Sequence, residues 1–319
     1  MDLSKDFETQ LNLIAKFNGI CLNIYEKLHL EYALKELMLK EKNEKTYFWG
    51  KITGEESDYF IAMGVNFKNH YEFPEKKYYY STNKYEFLLL PETYEYHDKD
   101  FIDTYYKPLK GNPSIIIKKY KADVQQGENI ENNEPPQQPP QEENAGGEEN
   151  KPPTTTFQDP DASVDDNAKP PEEPKENFTE LLKLSYLVRR IDYDTNIVPE
   201  GALKLIGEHE IRINNSFKGL NNNDIKDISK WMHFRIVSEE KRKEIEEAEA
   251  VFRYDIFDSI VNDKVKGSWS FELDPTKTTC NLRSLLWPGY FAVHKANTKT
   301  YVGVYFGDGN KNADLPFMI

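Results

Sequence analysis

The sequence has only two cysteines, Cys21 and Cys280, far apart in the chain. Two distant cysteines cannot build the disulfide framework of a small secreted domain. Neither has a His or Cys neighbour at the spacing of a zinc site. We therefore expect two small, buried or half-buried side chains in a reducing compartment, with no disulfide and no metal.

Long apolar runs are also lacking. No segment approaches the roughly 18 apolar residues that a membrane-spanning helix needs. The charged N-terminus, residues 1–6, has no apolar core of the kind found in signal peptides. The sequence therefore predicts a cytoplasmic protein that does not interact with membranes.

Basic charge is scarce as well. The net charge is −14, and residues 123–178 hold 15 Asp and Glu against 3 Lys, or −12 of that total. The other residues are thus nearly neutral. Proteins that bind nucleic acid usually carry a concentrated field of Lys and Arg, and no such field is visible here. We expect no nucleic-acid partner.

Catalytic motifs are incomplete. There is no phosphate-binding glycine loop, and Gly267–Phe271 lacks the last glycine of a nucleophile elbow. The six histidines are scattered, and His294 is expected to be a surface or half-buried residue rather than a base. Asp308, Asn310 and Asn312 begin like a calcium loop, but its required Gly and Glu are missing. We expect no enzyme and no cofactor.

One acidic segment is rich in proline. Residues 123–175 hold ten of the eighteen prolines and a single aromatic residue, Phe157. Such a segment cannot bury enough apolar surface to offset an ordering cost of about 1–2 kcal/mol per residue. It is predicted to be a disordered insertion. An alternative function follows from its charge, namely a cytosolic adaptor whose acidic insertion binds a basic partner.

The N-terminal region combines helices with strands. Apolar residues recur every three or four positions through residues 3–41, which predicts two helices separated at Asn18-Gly19. Packing against the rest of the protein is the favoured role of these helices, and docking of a partner is the alternative. Aromatic and β-branched runs near 46–65 predict a β-hairpin. Residues 78–82 could add a strand, and residues 87–90 are a short buried run of uncertain type.

Order is predicted to resume at Asn177, which has capping-box spacing with Glu180. The helix that follows carries an apolar face of Leu181, Leu184, Val188 and Ile191. Residues 202–206 and 210–213 look like a hairpin. A short helix capped by Asn222 or Asn223 is expected to carry Ile225, Ile228 and Met232, and Ser238 is expected to cap a charged helix over 239–251.

The C-terminal region is the most regular. Trp269, Phe271 and Leu273 alternate with polar residues, and aromatic and β-branched runs recur to residue 306 between short turns. This pattern predicts a four-stranded antiparallel meander over 267–307.

We therefore predict an α+β fold in which the hairpin near 46–65 and the meander over 267–307 are antiparallel sheets packed with helices. Its regions are an N-terminal helix and hairpin region (1–122), the disordered insertion (123–176) and an α+β region (177–319).

Several motifs resemble one family. They are Phe48-Trp49-Gly50-Lys51-Ile52, Asp58-Tyr59-Phe60-Ile61-Ala62, Pro199-Glu200-Gly201-Ala202-Leu203, Phe217-Lys218-Gly219-Leu220, Lys266-Gly267-Ser268-Trp269-Ser270, Leu282-Arg283-Ser284-Leu285-Leu286-Trp287-Pro288-Gly289 and Lys311-Asn312-x-Asp314-Leu315-Pro316-Phe317-Met318. On these residues the chain resembles the radial spoke head family of the ciliary axoneme, over about 1–120 and 178–319. The acidic insertion is longer than the family pattern leads one to expect.

The resemblance implies a non-enzymatic subunit of the radial spoke head in the cytoskeleton of the cilium or flagellum. Implied partners are spoke head proteins of the 4 and 6 type and further spoke subunits, with the central pair contacted indirectly. The implied work is mechanical signalling between the central pair and the dyneins, which supports ciliary motility. The family supplies no catalytic or cofactor residues.

Large aromatic residues dominate both protein cores and interface hot spots. We expect the tryptophans in or beside strands to lie mostly in the core, and an exposed ring on an edge strand to mark a partner surface. The stretch from Trp287 to Tyr305 is expected to offer an open sheet edge. The candidate structural or interface residues are Trp49, Asp58, Tyr59, Trp269, Arg283, Trp287 and Tyr305.

Overall fold

The computed structural model describes residues 7–67, 73–92, 107–118, 177–206, 210–247, 252–253 and 256–318. The predicted insertion at 123–176, Leu3 and the turn at 207–209 lie outside these residues. The described residues up to Ile117 and from Phe178 onward belong to one unit. Segments on both sides of the insertion thus build the same body.

The helices are α1 Phe7–Asn18, α2 Ile24–Glu41, α3 Glu180–Thr195, α4 Glu239–Glu246 and α5 Leu315–Met318. The strands are β1 Lys45–Ile52, β2 Tyr59–Asn66, β3 Glu75–Ser81, β4 Leu88–Leu89, β5 Ile116–Lys118, β6 Phe178–Thr179, β7 Ile197–Pro199, β8 Leu203–Ile206, β9 Glu210–Ile213, β10 Trp231–His233, β11 Phe252–Arg253, β12 Trp269–Leu273, β13 Thr279–Ser284, β14 Tyr290–Lys295 and β15 Tyr301–Gly307. Both N-terminal helices, the N-terminal hairpin, the hairpin of β8 and β9, and the C-terminal meander are confirmed.

Eight strands form one sheet in the order β12-β13-β14-β15-β1-β2-β3-β4. The N-terminal hairpin and the C-terminal meander were predicted as separate sheet regions, and both are present. They join because β1 pairs in parallel with β15, with Gly50 opposite Tyr305 and Ile52 opposite Gly307. Smaller sheets pair β10 with β7, β8 with β9 and β11, and β5 with β6.

Gly50 is required at this junction. The register of β1 against β2 shifts between Phe48 and Gly50, as in a β-bulge. A Cβ atom on Gly50 would lie 2.1 Å from the carbonyl oxygen of Tyr305. Only glycine lets the two backbones approach so closely.

The sheet has two faces that are covered differently. The helical face presents Phe48, Phe60, Tyr79, Val293 and Val304 to α1 and α2, whose buried side chains include Phe7, Ile14, Leu30 and Leu34. We call the opposite face the carboxylate face, after the acidic residues of α3 described below. It presents Trp49, Tyr59, Ile61, Tyr290 and Tyr305 to the region from α3 to β10, whose buried side chains include Leu184, Val188, Ile191 and Trp231. Residues alternate between the two faces along the strands, as the pleat requires, except at the bulge in β1, where Trp49 and Ile52 lie on the same face.

The structure overturns the expected open edge between Trp287 and Tyr305. Strand β14 pairs with β13 and β15, and β15 also pairs with β1. The sheet instead ends at β12 and β4. The meander could not reveal this, because the partner that covers β15 lies about 250 residues away in the sequence.

The predicted helix over Ile225, Ile228 and Met232 is wrong. Two short 3-10 turns, Asp224–Lys226 and Ile228–Lys230, lead into strand β10. The side chain of Asp227 accepts a hydrogen bond from the backbone N–H of Ser229 and starts the second turn. The apolar residues recur at intervals of three and four because two short turns and a strand follow one another, and not because they share one continuous helix.

Two predicted caps have different outcomes. The N-cap of α3 is Thr179, whose hydroxyl accepts from the N–H of Leu182, so the capping box at Asn177 is wrong. Ser238 caps α4 as predicted. That helix ends at Glu246 rather than at Val251, which lies outside the described residues.

Two expectations about burial are also corrected. Cys21 is exposed, whereas Cys280 is buried as expected. His294 lies inside β14 and is fully buried. Its Nε2 accepts a hydrogen bond from the N–H of Leu220, and its Nδ1 lies 2.8 Å from the carbonyl oxygen of Thr300. This histidine therefore ties the meander to the segment before β10.

Candidate functional site

Helix α3 lies across the carboxylate face and carries three acidic residues that bind other parts of the fold. We call Glu180, Asp192 and Asp194 the α3 carboxylates. The apolar side of the helix buries Leu184, Val188 and Ile191. Glu180 and Asp192 are each only 2% exposed, so each must be matched by donors if the fold is to be stable.

Asp192 is the centre of a buried polar network. Its Oδ1 accepts from Trp49 Nε1 at 3.0 Å and from Asn196 Nδ2 at 2.9 Å. Its Oδ2 accepts from the Tyr78 hydroxyl at 2.7 Å and from Lys76 Nζ at 2.6 Å. One carboxylate thereby links α3 to β1 and β3.

Lys76 extends this network. Its Nζ also donates to the carbonyl oxygen of Phe234 at 2.5 Å and lies 4.5 Å from the centre of the Phe234 ring. Burial lowers the pKa of Lys76, although Asp192 opposes that shift. Burial and the neighbouring Asp192 raise the pKa of Tyr78, so Tyr78 remains a hydroxyl donor at neutral pH.

Glu180 holds the segment that precedes β5. Its carboxylate accepts from the N–H groups of Lys110, Gly111 and Asn112 at 3.0, 2.7 and 3.1 Å. The hydroxyl of Tyr59 donates to the same carboxylate at 2.7 Å. Burial, followed by this hydrogen bond, raises the pKa of Tyr59. Four donors around one carboxylate fix the segment against both α3 and β2.

Asp194 binds the C-terminal meander. Its Oδ2 accepts from Trp287 Nε1 at 2.9 Å and lies 3.5 Å from Arg190 Nε. Lys311 Nζ lies 5.8 Å from the centre of the Trp287 ring, within the range of a cation–π contact. The turn between β13 and β14 is thus anchored to the C-terminal end of α3.

The structure brings four of the seven candidate residues into this arrangement. Trp49, Tyr59 and Trp287 donate to the three α3 carboxylates. Tyr305 is fully buried, with its ring 5.4 Å from that of Trp49 and its hydroxyl accepting from the N–H of Gly309. These rings organise the interior of the protein.

The other three candidate residues lie elsewhere. Asp58 pairs with Lys51 at 2.7 Å in the N-terminal hairpin. Trp269 is half-buried on edge strand β12, and its Nε1 donates to Asp263 at 2.8 Å. Arg283 donates to the side chain of Asn18 and to the carbonyl oxygen of Phe17, which ties β13 to the end of α1.

Sequence reasoning found the aromatic donors Trp49, Tyr59 and Trp287 but missed their acceptors. Glu180 was named only as part of a cap, and Asp192 and Asp194 were not named at all. One signal was available, because Asp192 follows Val188 by four residues and so lies on the apolar side of the helix. A carboxylate in such a stripe indicates a buried polar network.

The α3 carboxylates are all engaged by protein donors, which suits a rigid joint. Among the residues that the structure describes, no group of three or more His, Cys, Asp or Glu could hold a metal ion. No described helix has the length and apolar character needed to cross a membrane.

Comparison with known proteins gives a consistent result. The sequence model of the family described as radial spokehead-like protein matches residues 5–192. A radial spoke head protein 9 homolog of Danio rerio is 30% identical over 307 residues, covering 96% of each chain. The homologs of Bos taurus and Homo sapiens are each 30% identical over 291 residues, covering 90% of each chain.

Proposed function

The chain belongs to the radial spokehead-like protein family, and we propose that it is a structural, non-catalytic subunit of the radial spoke head in the ciliary axoneme. The observation that carries this proposal is the extent of the similarity: the alignment with the Danio rerio relative covers 96% of this chain and 96% of the relative. The similarity thus includes strands on both sides of the β1–β15 junction.

The geometry supports a mechanical role. The α3 carboxylates connect β1, β2, β3 and the β13–β14 turn through hydrogen bonds of 2.6–3.1 Å. Networks in which every buried group is satisfied make a structure rigid. A rigid body suits a subunit that keeps its shape while neighbouring subunits press on it.

We further propose that the subunit associates with spoke head proteins of the 4 and 6 type. Through the assembled head, it would take part in mechanical signalling between the central pair and the dyneins. Both proposals rest on family membership and on the rigidity that the α3 carboxylates give to the fold.

Removal of the gene in the source organism tests the proposed function. We expect axonemes with defective spoke heads in electron tomograms, and an altered or absent beat. Re-expression of the intact chain should restore both. Normal heads together with a normal beat in the null cells would contradict the proposal.

The acidic insertion tests the adaptor alternative. A variant that lacks residues 123–176, joined by a short Gly/Ser linker, is expected to restore the spoke heads of null cells, because the described unit is built from residues before and after the insertion. If this variant folds but fails to enter the axoneme, the insertion is the docking element and the adaptor function is favoured.

A further inference from the structure

Helix α2 carries apolar side chains on two opposite faces. Leu30, Ala33, Leu34 and Leu37 are buried against the sheet. On the other side, Ile24, Tyr25, Leu28, Tyr32 and Leu39 are each between 66% and 76% exposed. A helix at the surface of a monomer normally presents polar residues to water. We call these five exposed residues the α2 stripe.

The exposed apolar residues of the described chain concentrate here. On the same helix, the ring of His29 packs against that of Tyr85, with centres 4.4 Å apart and planes tilted by 46°, and Tyr85, Leu88 and Leu89 are also exposed. Five large side chains at this exposure offer on the order of 700 Å². Monomers rarely expose patches above a few hundred Å², and a standard interface covers about 800 Å² on each partner.

The spacing of the stripe selects a helix as its occupant. Tyr25, Leu28, Tyr32 and Leu39 fall at a and d positions of a heptad, with Lys35 at the remaining d position. Apolar residues at this spacing form the seam along which a second helix packs.

The charges beside the stripe select a direction. In a parallel pair of identical helices, Glu31 of one copy would face the partner's Glu36 across the seam, which places like charges together. In an antiparallel pair centred between Tyr32 and Lys35, Leu28 packs against the partner's Leu39, and Glu31 lies close to the partner's Lys35, so opposite charges meet. Within one copy, Lys35 Nζ already lies 2.6 Å from Glu31 Oε1, so the ammonium of Lys35 is directed from the seam toward the flank that carries Glu31.

We propose that the α2 stripe is the interface of a two-fold homodimer, in which α2 packs antiparallel against α2 of a second copy. Two-fold symmetry is the commonest way in which identical chains associate, and each copy then uses the same surface. The interface uses residues that play no part in the α3 network.

Sedimentation of the purified chain tests this proposal. At tens of micromolar we expect a species with twice the 37.3 kDa mass of one chain. Leu28→Glu is expected to weaken association on the order of 100-fold, as for an interface hot spot. Ile236→Glu is the matched control, because Ile236 is also 66% exposed but lies outside the stripe. It should leave the dimer intact.

A charge exchange tests the antiparallel arrangement. Glu31→Lys alone and Lys35→Glu alone should each weaken the dimer, because like charges then meet across the seam. A mixture of the two single variants should form a heterodimer, although each chain keeps its own like-charged pair. A wild-type chain that stays monomeric overturns the proposal. A chain that associates only with a different spoke subunit, and not with a second copy of itself, overturns it as well. Failure of the mixture to associate also overturns the arrangement.

Discussion

The two faces of the central sheet are stabilised by different interactions. The helical face is an apolar contact between α1, α2 and side chains such as Phe48 and Val304. The carboxylate face combines apolar packing with buried carboxylates, a buried lysine and the donors of Trp49 and Tyr78. Apolar contacts tolerate substitutions that conserve side-chain volume, whereas a buried charge tolerates loss of its partner poorly. We therefore expect the two faces to respond differently to substitution.

Asp192→Ala should have the largest effect. It leaves the ammonium of Lys76 and the donors of Trp49 and Tyr78 buried without their common acceptor, which costs about 3–5 kcal/mol of unfolding free energy. Chemical denaturation of wild type and variant measures this. Asp194→Ala is the control, because Asp194 bonds only Trp287 and Arg190 among the described contacts and is more exposed. A loss below about 1 kcal/mol for Asp192→Ala would show that the network is not central.

Gly50→Ala comes next, since it acts on the junction between β1 and β15, which joins the N-terminal hairpin to the C-terminal meander. The new Cβ atom would meet the backbone of Tyr305, so β1 and β15 must separate, at a cost of about 3 kcal/mol or more. Gly19→Ala is the matched control for a glycine without a close backbone contact. Gly19 has φ +68°, and nothing outside its chain neighbours lies within 4 Å of the place that its Cβ atom would take. That control should lose about 1 kcal/mol, from backbone strain alone. Equal losses would contradict the parallel pairing.

A pair of nearly isosteric substitutions sharpens the comparison of faces. Leu34→Met on the helical face should cost less than about 1.5 kcal/mol, because a flexible apolar side chain refills the space. Asp192→Asn keeps the shape of Asp192 but removes its charge, and should cost about 2 kcal/mol or more. Thermal and chemical unfolding of the two variants, side by side, give the comparison. A larger loss for Leu34→Met would reverse our account of the faces.

The smallest effect concerns pH. Burial lowers the pKa of Lys183, which lies on α3, to about 8. The unfolded chain holds this proton up to its ordinary pKa near 10.5, so between pH 8 and 10 the unfolded state binds more protons. As the pH rises from 8 to 10, Lys183 should therefore increase the free energy of unfolding by up to about 1 kcal/mol per pH unit. Lys183→Met should lack this contribution when unfolding is measured from pH 7.5 to 10, and an unchanged slope would contradict the assignment.

Local patterns were sufficient to predict most of the elements. Alternation of Trp269, Phe271 and Leu273 predicted β12, and spacing of Leu184, Val188 and Ile191 predicted α3. These patterns depend on neighbours in the sequence, so a single chain reveals them. The same spacing at Ile225, Ile228 and Met232 misled, because consecutive turns also bury residues at intervals of three or four.

Long-range contacts were beyond sequence reasoning. The parallel pairing of Gly50 with Tyr305 joins residues from the two ends of the chain, and no local pattern encodes it. Asp192 reaches Trp49 across 143 positions. Trp49 and Tyr78 were visible as aromatic residues of predicted strands, but their shared acceptor was one acidic residue among 55. The sequence also did not reveal which side of α2 is exposed, because both sides of that helix carry apolar residues.

The most direct test of the account is the position of this chain in the axoneme. Null cells that express the chain with a compact tag at its N-terminus can be imaged by cryo-electron tomography with averaging over spokes. We predict restored spoke heads with extra density for the tag within the head. Tag density confined to the spoke stalk, the doublet or the central pair would contradict a structural role in the spoke head.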